Sequence, residues 1–318
     1  MRKIIAIVVL FFALTDSTWL SQKQLVSATE SHTSPESGAS PSDLRLPLIP
    51  KSTRFAVIGD SGTGDHRQYQ VAETMTMYRQ KVNYDFVIML GDNIYGHHRP
   101  EDFRKKFEVP YRSLLDAGVK FYASLGNHDD PNDERLYKPF NMNGQRYYSF
   151  KKGDVEFFVL DSTYVDPKQL GWIQESLQKS NAKWKIAYFH HPLYSNGHMH
   201  GPDLDLRNQL APLFQQYGVN VVFSGHEHVY ERVKPENSIY YFILGNSGKV
   251  MTHDFRSSEG MDKGFDTDQS FMLVEVAGDT LYFQTISRTG ATVDSGSIKR
   301  QTPSTAAQTG LFLIPATR

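Results

Sequence analysis

Short apolar runs recur along the chain, and several of them end in a cluster of polar residues. Residues 54–58 precede GDSGTGD, 84–90 precede GDNIY, 119–125 precede GNHDD, 185–189 precede HHP, and 219–223 precede SGHEH. Apolar runs separated by segments of helical length, such as 66–81 and 101–117, are typical of buried strands in an α/β sheet. Ligand sites in such sheets lie beyond the carboxyl ends of the strands. The pattern therefore predicts that these clusters converge on one site.

Two pairs of alternating segments predict antiparallel hairpins. Residues 147–151 and 155–160 form one pair, and residues 271–276 and 280–286 form the other, which has a Gly-Asp turn. Because parallel and antiparallel strands occur together, and because helices must cover the outer faces, we expect an α/β fold with mixed sheets. The expected architecture is a four-layer αββα sandwich in a single domain.

Composition excludes several function classes. The chain has 318 residues, of which 39% are apolar and 22% are charged, and this is enough for the core of one large domain or two ordinary ones. The formal net charge is only -1, so no overall field attracts nucleic acid or an anionic membrane. The chain has no cysteine, and therefore neither a disulfide framework nor a thiolate nucleophile or metal ligand is available.

The first residues are typical of a secretory signal peptide. Arg2 and Lys3 precede an apolar run over residues 4–14, and a polar stretch then ends in VSA at residues 26–28. An uncleaved membrane anchor is the alternative, but the run is shorter than the roughly 20 residues that span a bilayer. We therefore expect residues 1–28 to be a signal peptide and the protein to be exported, either secreted or periplasmic.

Changes in composition also predict the domain boundaries. Residues 29–50 are rich in Ser, Pro and Thr and predict a flexible leader. The apolar runs that end in polar clusters lie within residues 51–300, so we expect one domain over that range. Residues 301–318 form a polar C-terminal tail, in which the short apolar run 311–314 is expected to pack on the body of the domain.

The polar residues at the strand ends favour metal ions such as Fe, Mn and Zn, because hard oxygen donors occur beside imidazole nitrogens. They are Asp60, Asp92, Tyr95, Asn127, His128, His190, His226 and His228. More than four candidate ligands imply more than one ion. A carboxylate such as that of Asp92 can bridge two cations, and metals about 3.5 to 4 Å apart clamp the attacking and the leaving oxygen of a phosphoryl displacement.

The motifs carry a resemblance to a known family. The ordered set GDSG, GDNIY, GNHD, a lone His after an apolar strand, and GHEH resembles the calcineurin-like metallophosphoesterases over roughly residues 54–286. The Tyr in GDNIY makes the chain similar to the small, tartrate-resistant type of purple acid phosphatase. The resemblance implies a metallophosphoesterase fold with residues 51–300 as its catalytic domain. It also implies that the protein is an enzyme, a metal-dependent phosphoric ester hydrolase.

The resemblance further implies a centre of two metal ions, one of them Fe(III) and the other divalent Fe, Zn or Mn. The side chains that would bind the ferric ion are Asp60, Tyr95 and His228. Those that would bind the divalent ion are Asn127, His190 and His226. Asp92 would bridge the two ions.

Histidines beside these ligands leave some alternatives open. His128 would contact the phosphoryl oxygens or protonate the leaving group without binding a metal. The family also has a His at the substrate entrance, for which His198 and His200 compete, and the Gly-Pro that follows favours His200. Where the family often has a Tyr this chain has His191, so either His190 or His191 could face the metals. The His-x-Pro spacing favours His190 and leaves His191 a neighbouring, structural role.

Some of the same residues have simpler interpretations. Tyr95 could be an aromatic residue at the rim of the site, which would leave a general metallophosphoesterase. His97 and His98 either line the entrance or are solvated, and we favour the solvated interpretation. The basic run RKK at residues 104–106 is most simply a solvated helix face.

The leading hypothesis is hydrolysis of small phosphate monoesters by in-line attack of a metal-bound hydroxide on phosphorus. This chemistry needs no protein nucleophile, which suits a chain that has neither cysteine nor a nucleophile-elbow motif. The alternatives are a phosphodiesterase or nucleotide hydrolase with the same dimetal centre, and a metal-free scaffold protein. We expect no requirement for nucleic acid and no stable insertion into a membrane, and the oligomeric state stays open.

Overall fold

Two mixed β-sheets lie at the centre of the fold in the computed structural model, which describes residues 43–256 and 259–300. The strands of the first sheet, in spatial order, are β13 (Thr292–Lys299), β12 (Thr280–Ser287), β11 (Ser270–Ala277), β1 (Thr53–Ile58), β2 (Phe86–Met89) and β3 (Lys120–Ala123). The strands of the second sheet are β10 (Met261–Phe265), β8 (Tyr230–Val233), β9 (Tyr240–Leu244), β7 (Val221–Ser224), β6 (Trp184–Tyr188), β5 (Val155–Val159) and β4 (Tyr148–Lys152).

Each sheet has a parallel centre and antiparallel edges. Strands β1, β2 and β3 are parallel, and so are β5, β6, β7 and β9. Both predicted hairpins form, because β4 pairs with β5 and β11 pairs with β12 in antiparallel registers. The carboxyl ends of the parallel strands therefore share one edge in each sheet.

The two sheets pack face to face through aromatic side chains. The ring of Phe55 in β1 lies 5.2 Å from that of Phe157 in β5 and 6.4 Å from that of Phe223 in β7. The ring of Phe86 in β2 lies 5.5 Å from that of Phe157. All four rings are buried, and their contacts form the main core between the sheets.

Helices cover the outer faces of both sheets. The α-helices of the described residues are α1 (His66–Val82), α2 (Pro100–Phe103), α3 (Arg112–Asp116), α4 (Pro131–Glu134), α5 (Pro167–Lys179) and α6 (Leu204–Tyr217). Val274 pairs with Phe55 on the inner face, so Phe271 faces outward, where Tyr78 of α1 contacts it at 6.1 Å. Leu177 of α5 and Phe214 of α6 belong to a second buried cluster on the other sheet. The predicted α/β fold with mixed sheets is confirmed.

The segment 101–117 does not form the single helix that its length predicts. It is divided into α2, a π-helical turn (Arg104–Glu108) and α3. Pro110 lies between the π-helical turn and α3. Proline has no N–H to donate and its ring clashes with the preceding helical turn, so a continuous helix cannot pass through this position.

Residues 43–50, which composition assigns to the flexible leader, are held by the first sheet. The buried carboxylate of Glu275 in β11 accepts hydrogen bonds from the N–H groups of Leu48 at 2.8 Å and Ile49 at 2.5 Å. Because these contacts order the backbone, the folded domain begins earlier than the predicted boundary at residue 51.

The other terminal predictions lie outside the described residues. These are the signal peptide at residues 1–28, residues 29–42 of the leader, and the tail at residues 301–318. All of the described residues belong to one compact unit. Within the described part of the chain, every helix is too short or too polar to cross a bilayer.

Candidate metal centre

The polar loops that follow five of the parallel strands meet at the carboxyl edge of the two sheets. Asp60 follows β1, Asp92 and Tyr95 follow β2, Asn127 and His128 follow β3, His190 follows β6, and His226 and His228 follow β7. Two groups of candidate ligand atoms form there, each with its atoms within 4.8 Å of one another. The first group is Asp60, Asp92 and His228, and the second is His190, His191 and His226.

Tyr95 lies beside the first group. Its hydroxyl donates to Asp60 Oδ1 at 3.2 Å and lies 3.4 Å from His228 Nε2, which is 3.5 Å from the same Asp60 oxygen. Burial and the neighbouring carboxylates of Asp60 and Asp92 raise the pKa of Tyr95, because each disfavours the phenolate. Without a cation, the phenol therefore keeps its proton and shares it with Asp60.

His190 organises the second group. Its Nδ1 donates to the carbonyl oxygen of Leu90 at 2.9 Å, so Nε2 is the ring nitrogen that points into the site. This Nε2 lies 3.0 Å from the oxygen of Asn127 and 3.1 Å from Nδ1 of His226. Two imidazole nitrogens and an amide oxygen, each able to bind a metal, converge at this point. The donor set therefore fits a bound metal cation.

Asp92 connects the two groups. It belongs to the first group, and its Oδ1 also lies 3.4 Å from Nε2 of His190 in the second. Burial alone would raise the pKa of Asp92, but His190 and the backbone N–H of His128 outweigh it and hold the pKa below its usual value. A Cβ atom at Gly126 would lie only 2.3 Å from Asp92 Oδ1, so glycine is needed where these loops cross.

Three of the candidate ligands have left-handed backbone conformations. The φ angles are 53° at Asp60, 51° at Asp92 and 70° at His226. Such conformations cost energy for residues other than glycine and are concentrated at functional sites. The N–H of His226 donates to Asp60 Oδ2 at 3.0 Å, so the loops after β1 and β7 hold each other in place.

His128 and His200 lie at the open side of the centre, and both are exposed. The His128 ring lies 5.0 Å from the ring of Tyr95, and its backbone N–H donates to Asp92 Oδ1 at 3.0 Å. The His200 ring stacks on that of His226 at 4.1 Å and lies 6.3 Å from that of His228. The site therefore has a candidate proton donor or phosphate contact on each side.

The two alternative histidines, His198 and His191, differ in their distance from the candidate ligands. The backbone N–H of His198 donates to the carbonyl oxygen of Asp254, its side chain is exposed, and no ring contact links it to the ligands among the described residues. His191 lies beside the candidate ligands, because its ring is 4.4 Å from that of His226. Its Nδ1 lies 2.9 Å from Ser162 Oγ, and burial lowers the pKa of His191 to about 4.

A buried polar network lies behind the centre, and it includes Asn93, the residue that follows Asp92. The Asn93 amide donates to the carbonyl oxygen of Ser124 at 2.8 Å, to Asp129 Oδ2 at 3.0 Å and to Glu134 Oε2 at 2.9 Å. Asp129 also accepts the N–H groups of Asn93 and Gly126, at 2.8 Å each. The network joins the loops that carry Asp92 and Asn127. The first Asp of GNHDD, Asp129, was the only local signal for it.

The solvated interpretation is wrong for His98 and Lys106, whereas His97, Arg104 and Lys105 are exposed as expected. His98 is mostly buried, and its Nε2 lies 3.2 Å from Oε1 of the buried Glu134. Burial raises the pKa of Glu134 to about 8. In the basic run at 104–106, the ammonium of Lys106 donates to the carbonyl oxygen of Tyr95 and to Asp102 Oδ1 at 2.9 Å. Lys106 therefore fixes the backbone of the Tyr95 loop.

Lys249 is a site residue that the sequence did not reveal. Its ammonium lies 3.5 Å from the centroid of the Tyr95 ring, within the range of a cation–π contact. Among the described residues it forms no ion pair with a carboxylate. Lys249 follows β9, a sixth strand that ends at this edge. The polar segment GNSGK after that strand was not among the five clusters used to predict the site, and including it would have identified Lys249.

The sequence model of the calcineurin-like phosphoesterase family matches residues 53–230 of this chain. Among curated proteins, purple acid phosphatase 3 of Arabidopsis thaliana is 30% identical over 251 residues, which cover 67% of this chain and 68% of the relative. Purple acid phosphatase 17 of the same plant is 28% identical over 62% of this chain and 68% of its own length.

Solved structures share the fold. A purple acid phosphatase, PPD1, from yellow lupin seeds superposes with a TM-score of 0.62 at 18% identity, over 80% of this chain and 55% of the lupin chain. GAP50, described as the anchor in the inner membrane complex of Plasmodium, superposes with a TM-score of 0.69 at 18% identity, over 79% of this chain and 90% of its own. At this identity the two likenesses bear on the fold alone.

Proposed function

Because this chain belongs to the calcineurin-like phosphoesterase family, and within it to the purple acid phosphatases, it is a metal-dependent phosphoester hydrolase, and we propose that it hydrolyses small phosphate monoesters. The observation that carries the proposal is the pair of donor groups joined by Asp92. When bound, two ions at such a centre would lower the pKa of a bound water to around 7 and neutralise charge on the phosphoryl group.

The proposed ligand sets follow the geometry of the two groups. For one ion the set is Asp60, Tyr95 and His228, whose donor atoms lie within 3.5 Å of one another. For the other ion the set is Asn127, His190 and His226, in which Nε2 of His190 faces both partners. Asp92 is the proposed bridge. His191 lies near the second set, but its Nδ1 is already engaged by Ser162.

We propose Fe(III) for the Tyr95 set and divalent Fe, Zn or Mn for the other. A phenol whose pKa is raised by burial and two carboxylates becomes a ligand only if a strong positive charge replaces its proton. A trivalent ion supplies that charge better than a divalent one. The imidazole and amide donors of the second set suit a divalent ion of the first transition row.

Tyr95→Phe tests this assignment through colour. A phenolate on Fe(III) transfers charge to the metal in the visible range, so the oxidised wild type is expected to be pink to violet. Phenylalanine keeps the ring under Lys249 but cannot bind the ion, and the variant should lose the band. Tyr164→Phe, at an exposed tyrosine, is the matched control and should keep the band. A Tyr95→Phe protein with an unchanged visible band would make Tyr95 only a rim residue.

His128 and His200 are the proposed catalytic histidines. Both imidazoles are exposed at the open side of the centre, from which a substrate would approach. His128 is suited to contact the phosphoryl oxygens or to protonate the leaving group, as histidines commonly do in catalysis. His200 is favoured over His198 because its ring stacks on His226.

The substrate class separates this proposal from a phosphodiesterase or nucleotide hydrolase with the same centre. We expect kcat/KM for p-nitrophenyl phosphate to exceed that for bis(p-nitrophenyl) phosphate by at least about tenfold, a difference of about 1.4 kcal/mol in transition-state binding. The measurement uses metal-loaded enzyme, one preparation and both esters. Preference for the bis-ester would replace the monoesterase proposal with the diesterase.

Export is the proposed localisation, supported by the charged start and the apolar run at residues 4–14. In cells that make the whole chain, the protein should be found outside the cytoplasm and its mass should lack the first 28 residues or close to that number. A cytoplasmic protein of full mass would contradict export.

A further inference from the structure

One loop, residues 195–201, carries His198 and His200 and is held at its start by a buried carboxylate. Glu231, in β8, accepts the hydroxyl of Ser195 at 2.9 Å and the backbone N–H of Asn196 at 3.0 Å. It also accepts the Asn196 side-chain amide at 2.5 Å. The start of the loop is thereby fixed to the second sheet.

A second buried carboxylate holds the end of the same loop. Oε1 of Glu227 accepts the backbone N–H of His200 at 2.9 Å and the backbone N–H of Gly201. Glu227 is fully buried and lies between His226 and His228 in the sequence. Its backbone therefore belongs to the proposed metal-binding loop, whereas its side chain binds the loop that carries His200.

The middle of the loop packs directly onto Glu227. A Cβ atom at Gly197 would lie 2.4 Å from Cδ of Glu227, so the backbone approaches the carboxylate without room for a side chain. On the other side, Gly197 forms an isolated antiparallel bridge with Phe255, and the N–H of Arg256 donates to the carbonyl oxygen of Asn196 at 2.9 Å. The loop is therefore enclosed between Glu227 and residues 254–256.

His200 has few restraints other than this backbone anchor. His200 is exposed, and among the described residues its ring stacks on that of His226 at 4.1 Å, with 29° between the ring planes, and lies edge-on to that of His228 at 6.3 Å. Two N–H groups that point at a fully buried carboxyl group leave the local backbone little freedom, since a buried donor that loses its acceptor is costly. The orientation of the His200 backbone thus depends on Glu227.

We propose that Glu227 is a positioning residue that holds the His200 imidazole at the substrate entrance by accepting the backbone N–H groups of His200 and Gly201. The inference rests on the proposed function, because it takes His200 to contact the phosphate ester. Glu227 itself contacts no substrate. The hydrogen-bond acceptor, rather than the negative charge, is the property on which the role depends.

Two substitutions distinguish the effect of losing the hydrogen-bond acceptor of Glu227 from the effect of changing its side-chain volume. Glu227→Gln keeps an oxygen that can accept both N–H groups, and its amide can donate to the neighbouring buried carboxyl group of Asp254. Glu227→Met has a similar volume but offers no comparable acceptor. We expect Gln to keep kcat/KM for p-nitrophenyl phosphate within about threefold of wild type and Met to lower it by about 10- to 100-fold, since small displacements of catalytic groups have effects of this size.

A double-mutant cycle with His200→Ala identifies the residue through which Glu227 acts. If Glu227 acts through His200, Glu227→Met should cost little further activity in the His200→Ala background, because the two changes remove one interaction. Metal content should stay at the wild-type value in all variants. The proposal is overturned if Met costs the same in both backgrounds, if Met loses metal, if Gln fails like Met, or if His200→Ala alone has no effect.

Hydrogen exchange gives a readout that does not depend on activity. The amides of His200 and Gly201 should exchange faster in Glu227→Met than in wild type, while Glu227→Gln should resemble wild type. Unchanged exchange in the Met variant would contradict the anchor. A wild-type protein that is inactive on monoesters, but in which Glu227→Met speeds this exchange, would contradict the proposed function and not the anchor.

Discussion

Asp92→Asn is expected to bind both metal ions poorly and to lose more than about 100-fold in kcat/KM. Substituting residues that merely support metal ligands typically costs about 10 to 100-fold in affinity or activity, and Asp92 is the proposed ligand of both ions. The amide has the same shape, and its oxygen can still accept the N–H of His128. The fold should therefore survive while the bridging charge is lost.

The matched control is Asp85→Asn. Asp85 is exposed and precedes β2, whereas Asp92 follows the same strand, so the two changes are chemically identical and lie at opposite ends. The control should keep both metals and its activity. Two full equivalents of metal and near-normal turnover in Asp92→Asn would rule out the bridge.

His128→Ala is expected to keep its metals and lose about 10² to 10⁴-fold in kcat, the range typical of a general acid or base. The substitution removes only the exposed imidazole, because the contact with Asp92 comes from the backbone N–H of His128. If His128 protonates the leaving group, the loss should grow along a series of aryl phosphates as the leaving group becomes more basic. A uniform loss would indicate contact with the phosphoryl oxygens instead.

The control for this variant is His66→Ala, at an exposed histidine that begins α1. It should retain wild-type kinetics and metal content. Loss of both metals from His128→Ala would assign His128 a direct part in metal binding, and undiminished turnover would remove it from the mechanism.

The proposed ligands could be found from the sequence because the signal for each is local. Asp60, Asp92 and His190 come one to three residues after a buried apolar strand. The carboxyl ends of parallel strands share an edge, so the position of a residue at a strand end already predicts its neighbours. Knowing which strand a residue follows was therefore sufficient to bring these three together.

The residues that support the ligands could not be found in this way, because their partners are distant in the sequence. Glu227 is 27 residues from His200, and no periodic pattern relates the two. The same holds for Glu275, which binds Ile49 across 226 residues and thereby orders a segment whose composition is typical of a leader. Pro110 is different, because its effect on the helix is local and was visible in the sequence.

The metal content of the purified wild-type protein tests the central claim most directly. Elemental analysis combined with a visible spectrum should find two metal ions per chain, at least one of them iron, and a band that gives the oxidised protein its colour. Removing the metals should abolish phosphatase activity, and restoring them should recover it. A protein that binds one ion or none, and that stays inactive after reconstitution with iron and a divalent metal, would contradict the dimetal phosphatase and favour the metal-free scaffold.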